Sequence, residues 1–424
     1  MAAVTINQSS HTTEATRPFR TWPVALMISA YPIWFVLGLS GFMWVIMAIP
    51  MAAAMLSRRD LIAPKGIGLW VLFLVAVVGS AFSLDGVPRL AGYTLRLGYY
   101  LAASTLLLYI INGRKGLPPG MLVRSYTQLW MATVAGGYFA LVLGDFHFHS
   151  PMWYLLPGPL LENDLISALA TPGFADLQNI VGYPVPRPKA PFPYTNSWGA
   201  MLALLTPFAF ASLYDRSTGI SPRLIKVVLA ASIIPAVMSL NRGLWLSLSV
   251  GVVYVVFRLA VGGKTSMFFR LIGLFLVLAA VLLLTPLGEL IVTRFQTGHS
   301  NDTRSGLAWS AIVGASERPI FGWGAPRPNV GNLPSVGTHG QLWMVAFSHG
   351  FFGLAAFLGT LVVFFRSTAR QLSMPGLWIH TVVLIGLSQT PVYLMVPGQL
   401  FVVLGAVGIA LRYQMVDAEP GIQS

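Results

Sequence analysis

Long apolar runs separated by short polar connections repeat between residues 21 and 412. A run of about 17–25 apolar residues forms a helix able to cross a hydrocarbon core roughly 30 Å thick. Such runs fall at 22–38, 40–57, 67–84, 90–111, 121–143, 195–214, 224–240, 244–261, 271–288, 340–365, 377–395 and 398–412. Only Leu39 divides the first two, so that stretch also suits a broken or re-entrant segment. The pattern predicts an all-α polytopic membrane protein of about 12 transmembrane helices, arranged as a single transmembrane domain over 21–412. Polar tails, 1–20 and 413–424, flank it on one side. Residues 1–20 lack a basic start, a short apolar stretch and a small-residue cleavage site, so they read as a cytoplasmic tail and not a signal peptide. No internal repeat of about 20–50 residues is found.

Two connections, 144–194 and 289–338, exceed the others greatly in length. Loops that long in a compact protein are usually functional or disordered. The first carries Trp153, Tyr154, Leu155, Leu156, Phe174 and Ile180, too apolar for a solvated linker. A helix lying at the membrane boundary fits it better. Its VPRPKAPFP stretch predicts an extended, stiff, polyproline-like backbone, and Thr195-Asn196 a capping pair for the next helix. In the second loop, Leu307, Ala308, Ala311 and Ile312 predict a short amphipathic helix from about Arg304 to Ala315, ended by Pro319.

Composition agrees with the pattern and narrows it. The chain is 55% hydrophobic and 9% charged, with a mean hydropathy of +0.72; soluble domains carry about 25% charged residues. With no cysteine, disulfides and thiolate metal sites drop out. The net charge of +13 suggests nucleic acid until the charges are placed. With the N-terminus inside, most Lys and Arg fall in the inner connections, facing an anionic leaflet, so no nucleic-acid partner is expected. That orientation predicts a multi-pass protein of the inner or plasma membrane with both termini cytoplasmic. The outer side receives Arg89, Arg96, Arg187, Lys189, Arg242, Arg294, Arg304, Arg318 and Arg327. Arg prevails there, as expected where a planar fork must grip phosphate or carboxylate.

Among these, Arg242 stands in SLNRGLW, a tight outer turn, and Arg187 and Lys189 in the stiff proline stretch. Arg304 opens the predicted loop helix, where a cation opposes the helix dipole unless an anion or Asp302 faces it. Arg318 precedes a helix stop and sharp turn. Arg294 and Arg327 read as surface charges. His339 is the last polar residue before a span, and imidazole is suited to take a proton from a hydroxyl near neutral pH. His147, His149, His299 and His349 are weaker candidates. His147 and His149 lack a third ligand at metal-binding spacing, so no metal is expected. Asp85, in an Asp-Gly turn, is the carboxylate a metal-dependent lipid-phosphate-sugar glycosyltransferase would need, though a plain turn role is the simpler reading.

The segment RSGLAWSAIVGASERPIFGWG followed by THGQLWMVAFSHGFFGL, together with SLNRGLWLSLSVG and PFPYTNSWGAMLALLTPFAF, resembles the O-antigen ligase and O-antigen polymerase superfamily of membrane glycosyltransferases. The resemblance covers about residues 180–365, with four short elements in the family's order. It implies a GT-C-like fold with short helices in two extracytoplasmic loops. It also implies metal-independent inverting transfer, without a cofactor, from an undecaprenyl- or decaprenyl-diphosphate-linked glycan to a glycan or glycolipid hydroxyl. Carried onto this chain, Arg187 and Arg242 would bind the diphosphate, Arg304 would support them with Lys189 and Arg318 nearby, and His339 would activate the acceptor. The chain departs from the pattern at Gly340, where the family often has Asn, and at Ser348-His349, where an acidic residue is frequent. A transporter or flippase of an anionic glycolipid is the competing class; it predicts basic residues within the spans and repeats.

Overall fold

The computed structural model describes residues 18–113, 116–179, 182–263, 265–284, 288–289, 292–293, 299–328 and 335–418. Most of the 1–20 tail, the end of the C-terminal tail and Arg294 lie outside these residues. The protein is mostly helical, at 72%. In order come α1 (Trp22–Ile28), α2 (Tyr31–Leu37), α3 (Met43–Leu56), α4 (Ile67–Gly79), α5 (Val87–Asn112) and α6 (Pro119–Leu143). Next are α7 (Pro151–Leu155), α8 (Gly158–Leu161), α9 (Asp164–Ala170), β1 (Ala175–Asn179) and β2 (Pro184–Pro188). Then follow α10 (Thr195–Tyr214), α11 (Pro222–Met238), α12 (Arg242–Val261), α13 (Thr265–Leu283), α14 (His299–Glu317), α15 (Gln341–Ser367), α16 (Met374–Gln389) and α17 (Gly398–Ala418).

Helix therefore lies over each predicted apolar run, and the run 22–38 is broken into α1 and α2. Among the described residues, five helices are long and apolar enough to cross a membrane: α5, α10, α12, α15 and α17. The apolar windows of α10 and α17 are 72% and 78% buried, whereas that of α12 is only 28% buried. Thus α10 and α17 form the centre of the bundle, α10 against α6 and α16, α17 against α5 and α16. On α12 the stripe Leu246, Val253, Phe257 and Val261 is exposed. An apolar helix that presents such a stripe outward needs a nonpolar surrounding, which is the signature of a membrane-embedded bundle.

The long stretch before α10 is not one surface helix but three short ones and a two-stranded antiparallel ribbon. Asp176 pairs with Arg187 and Gln178 with Val185, while Pro184, Pro186 and Pro188 fall at the alternate positions. Proline has no amide hydrogen, so it is tolerated where a strand residue points its amide away from the partner. Alternating prolines thus leave Val185, Arg187 and Lys189 to face β1, and the Lys189 amide indeed donates to Phe174 O at 3.0 Å. The stiff extended segment expected from the sequence is a paired strand.

Helix α15 is split at Gly350, which has φ 71° and ψ 179°. The turn that follows α14 enters this break. Trp323 N donates to Phe347 O (2.9 Å), Gly324 N to Ser348 O (2.8 Å), and Phe351 N to Pro319 O (2.7 Å). A side chain at 350 would meet Ile320 O at 2.4 Å, so only glycine admits the turn. The Pro-Ile-Phe-Gly-Trp-Gly stretch and the Gly-rich step of α15 are thus two halves of one interlock.

Candidate functional site

The turn before α12 is built by Leu240, the one non-glycine residue with positive φ (49°) among the described residues, and it is fully buried. A non-glycine residue held there is strained and persists only if its surroundings fix it. They do. Arg187 Nε donates to Ser239 O at 2.9 Å, and Asn241 caps α12 by accepting from Leu244 N at 3.2 Å. The turn therefore comes before Arg242, which is already the first helical residue. Asn241 Oδ1 also accepts a short hydrogen bond from the Tyr393 hydroxyl. Its Nδ2 is buried and has no partner among the described residues.

Tyr393 lies in the connection between α16 and α17 and gathers the neighbourhood. Its ring packs against Gly243, where an added Cβ would stand 2.3 Å from the hydroxyl oxygen. Its carbonyl accepts from Gln341 N at 2.8 Å, and Thr390 O accepts from Leu342 N at 2.9 Å. Those two bonds seat the start of α15, with His339 just before it. Burial holds the Tyr393 proton well above the ordinary tyrosine range, against the pull of Arg304 and Arg187, so it stays a neutral donor. Arg304 acts on His339 as well. Tyr393 thus meets Asn241, next to Arg242 in the chain, and feels the charges of Arg304 and Arg187, while Arg304 also acts on His339.

Arg187 is itself buried, and its Nη1 donates to Gln178 Oε1 at 2.6 Å, one rung diagonally across the ribbon. Arg304 is exposed on α14, which begins at His299; it therefore sits in the second turn, not the first, and the dipole argument loses most of its force. The Asp302 side chain lies outside the described residues. On α14 the buried residues are Leu307, Ala311, Gly314 and Ala315.

The protonation pattern of His339 follows from its neighbours. The Thr338 hydroxyl donates its single hydrogen to Ser335 O at 2.6 Å. It must therefore accept from His339 Nδ1, which is 3.0 Å away. That leaves the Nε2 lone pair as the basic end. Burial first, and then the Arg304 charge, push the imidazole below its ordinary range and keep it neutral. Gly340 has φ 88°, and a Cβ there would stand 2.5 Å from Pro391 O.

Two candidates are engaged elsewhere. Lys189 is buried; its ammonium donates to Asp176 at 2.8 Å and to His147 Nε2 at 2.9 Å, while His147 Nδ1 donates to Asp145 O at 2.9 Å. Its charge is matched within the loop, which it ties together. Arg318 donates to Ser83 Oγ at 2.8 Å and lies over the Trp323 ring at 4.2 Å, with Arg327 over the same ring at 3.7 Å. Asp85 binds Arg89 through one oxygen and Arg327 through the other (2.6 Å). Arg89 also donates to Trp323 O, Ala325 O and Pro326 O. Arg318, Arg327 and Asp85 thus clamp the turn that enters α15. Among the described residues no three His, Asp or Glu side chains gather as metal ligands. His349 is buried in α15 on Ser80 Oγ at 2.9 Å, and His149 stacks on Trp153. The His299 side chain lies outside the described residues.

An open cleft of about 460 Å³ borders α14 on Trp309, Val313, Glu317, Trp323 and Arg327, but its lining includes none of Arg187, Arg242, Arg304 or His339. Sequence reasoning missed Tyr393, Asn241 and Gln341. The signal for Tyr393 was the pair Pro391 and Pro397 bracketing the end of the apolar run 377–395. No family model matches the chain, and no curated protein or solved structure matches it.

Proposed function

We propose that this is a membrane glycosyltransferase like the O-antigen ligases and polymerases: a metal-independent inverting enzyme that moves a glycan from a polyprenyl-diphosphate carrier to a glycan or glycolipid hydroxyl. On this reading about 12 spans, both termini cytoplasmic, hold the site at the outer face of the inner or plasma membrane. The supporting observation is that Arg304 acts on both Tyr393 and a neutral, Nε2-basic His339, with Arg187 acting on the same tyrosine and Arg242 one residue from its partner Asn241. In the reaction His339 Nε2 takes the proton of the acceptor hydroxyl as its oxygen attacks the anomeric carbon. The bond from that carbon to the phosphate oxygen breaks, and the electron pair leaves with the diphosphate. Negative charge grows on the leaving group, so fixed cations lower the barrier directly, by about 2.7–4 kcal/mol for a single donor. Asn241 Nδ2, without a partner among the described residues, is a further donor for the same anion.

The Asp85-centred alternative is weakened because both carboxylate oxygens are held by arginines. The test is an assay of purified protein with a lipid-diphosphate glycan donor and glycan acceptors, read by mass spectrometry. A new glycosidic bond that is lost in His339→Ala supports the reading. Donor that crosses vesicles intact, with no new bond in any condition, overturns it in favour of transport.

A further inference from the structure

Arg96 lies nine residues after Val87, about 13 Å along α5 at 1.5 Å per residue. Helix α5 is one of the five long enough to cross a membrane. Arg96 Nη1 is buried and has no hydrogen-bond partner among the described residues, and no carboxylate there forms an ion pair with it. One turn on, Tyr99 is 3% exposed, and its hydroxyl is also without a partner. The two are in electrostatic reach of each other. Buried polar groups are paired almost everywhere in proteins, so two orphaned donors one turn apart need an explanation. An ionisable residue at membrane depth with no internal counter-charge marks a ligand or ion site.

The surroundings indicate what kind. The Tyr99 hydroxyl faces Gly41, where an added Cβ would stand 3.6 Å away. Gly41 belongs to the non-helical stretch 38–42 between α2 and α3, and Leu169 of α9 covers it at 2.8 Å from the same position. Broken backbone within a membrane segment is tolerated where protein buries it or where it lines a cavity. We propose that Arg96 and Tyr99 form a binding site for a lipid-borne phosphate, entered from the bilayer beside the α2–α3 break. A guanidinium and a hydroxyl suit several phosphate oxygens at once, and the flanking apolar helices suit a lipid tail. The site has its own neighbours: Arg96 lies near Tyr99, Tyr100 and His349, and Arg304 near His339 and Tyr393. Gln341 joins them, donating to the Tyr100 hydroxyl at 3.2 Å and accepting from Met395 N at 2.9 Å. The phosphate can belong to an isoprenoid carrier or to a bilayer phospholipid. The inference needs the membrane reading but not glycosyl transfer.

The test is native mass spectrometry of the full chain in detergent, titrated separately with farnesyl diphosphate, phosphatidylglycerol and inorganic pyrophosphate. It is run in an Arg242→Gln/Arg304→Gln background so that the first site does not contribute. The expected result is one retained equivalent of a phosphate-bearing lipid, weakened about tenfold or more in Arg96→Gln and severalfold in Tyr99→Phe, as loss of a charge-assisted hydrogen bond requires. Farnesyl diphosphate as the retained probe identifies the carrier, and phosphatidylglycerol the bilayer lipid. Equal lipid retention in the background protein, Arg96→Gln and Tyr99→Phe overturns the proposal, as does Arg96-dependent retention of pyrophosphate as strong as that of either lipid. If Arg96→Gln does not fold, Arg96→Lys and Tyr99→Phe carry the test. Failure of glycosyl transfer in His339→Ala leaves this binding unchanged, so the two proposals fail separately.

Discussion

Two arginine clusters in this protein invite comparison. Around Trp323, Arg318 and Arg327 both stack over the indole, Arg327 and Arg89 share Asp85, and Arg89 binds three carbonyls. Around Tyr393, Arg187 donates to a carbonyl and an amide oxygen, Arg304 is exposed, and His339 stands beside them with its basic nitrogen uncommitted to Thr338. The first cluster spends its charge inside the fold, where it fixes the turn that splits α15. In the second, Arg304 is exposed beside a neutral imidazole and a neutral tyrosine, an arrangement that suits an anion. Counting arginines cannot separate the two; their partners can.

Several substitutions would break or sharpen this contrast. The largest expected effect is His339→Ala, which removes the proposed base and would lower the proposed transfer about 10²–10⁴-fold, with thermal unfolding unchanged. Close behind, Arg304→Gln lowers kcat about 10²–10³-fold, while Arg318→Gln costs far less activity. Equal losses in the two variants, measured in one assay, would erase the distinction between the clusters. Gly340→Ala places a side chain at φ 88° against Pro391 O and costs about 1–3 kcal/mol of stability in a denaturation melt, displacing His339 with it.

Smaller effects follow. Asp85→Asn leaves two arginines sharing no carboxylate; at this exposed position it lowers stability by at most about 1 kcal/mol and leaves activity within severalfold, with EDTA without effect. The smallest is in the pH profile. Burial and Arg304 both lower the His339 pKa, so the proposed base stays neutral to a pH below that of a free imidazole. Removing the Arg304 charge raises that pKa, so the residual activity of Arg304→Gln has its acidic limb moved to higher pH. A limb that stays in place or moves down would separate Arg304 from His339.

Much of the fold was legible in the apolar pattern, because whether a run of side chains favours helix in a nonpolar surrounding is settled by the run itself. Helix over 195–214 and over 244–261 needed no knowledge of neighbours. The β1–β2 ribbon was hidden because an extended proline stretch looks alike whether it is solvated or paired. The break at Gly350 was hidden because its cause, the turn at 319–324, lies outside the helix. At the candidate site, His339 and the arginines could be nominated from residue type and place in the pattern. Lys189 and Arg318 could be nominated as readily, since nothing local to them reveals Asp176 or Trp323.

The order of the chain by itself determined where helices form, that several suit a membrane, and which side chains have the chemistry to hold an anion or move a proton. Only tertiary structure decided which of them meet. Tyr393 lies 152 residues from Asn241, and Thr338 sets the tautomer of His339 only because the Ser335 carbonyl already takes its hydrogen. A propensity is a sum over neighbours in sequence, whereas a charge is free or spent according to neighbours in space.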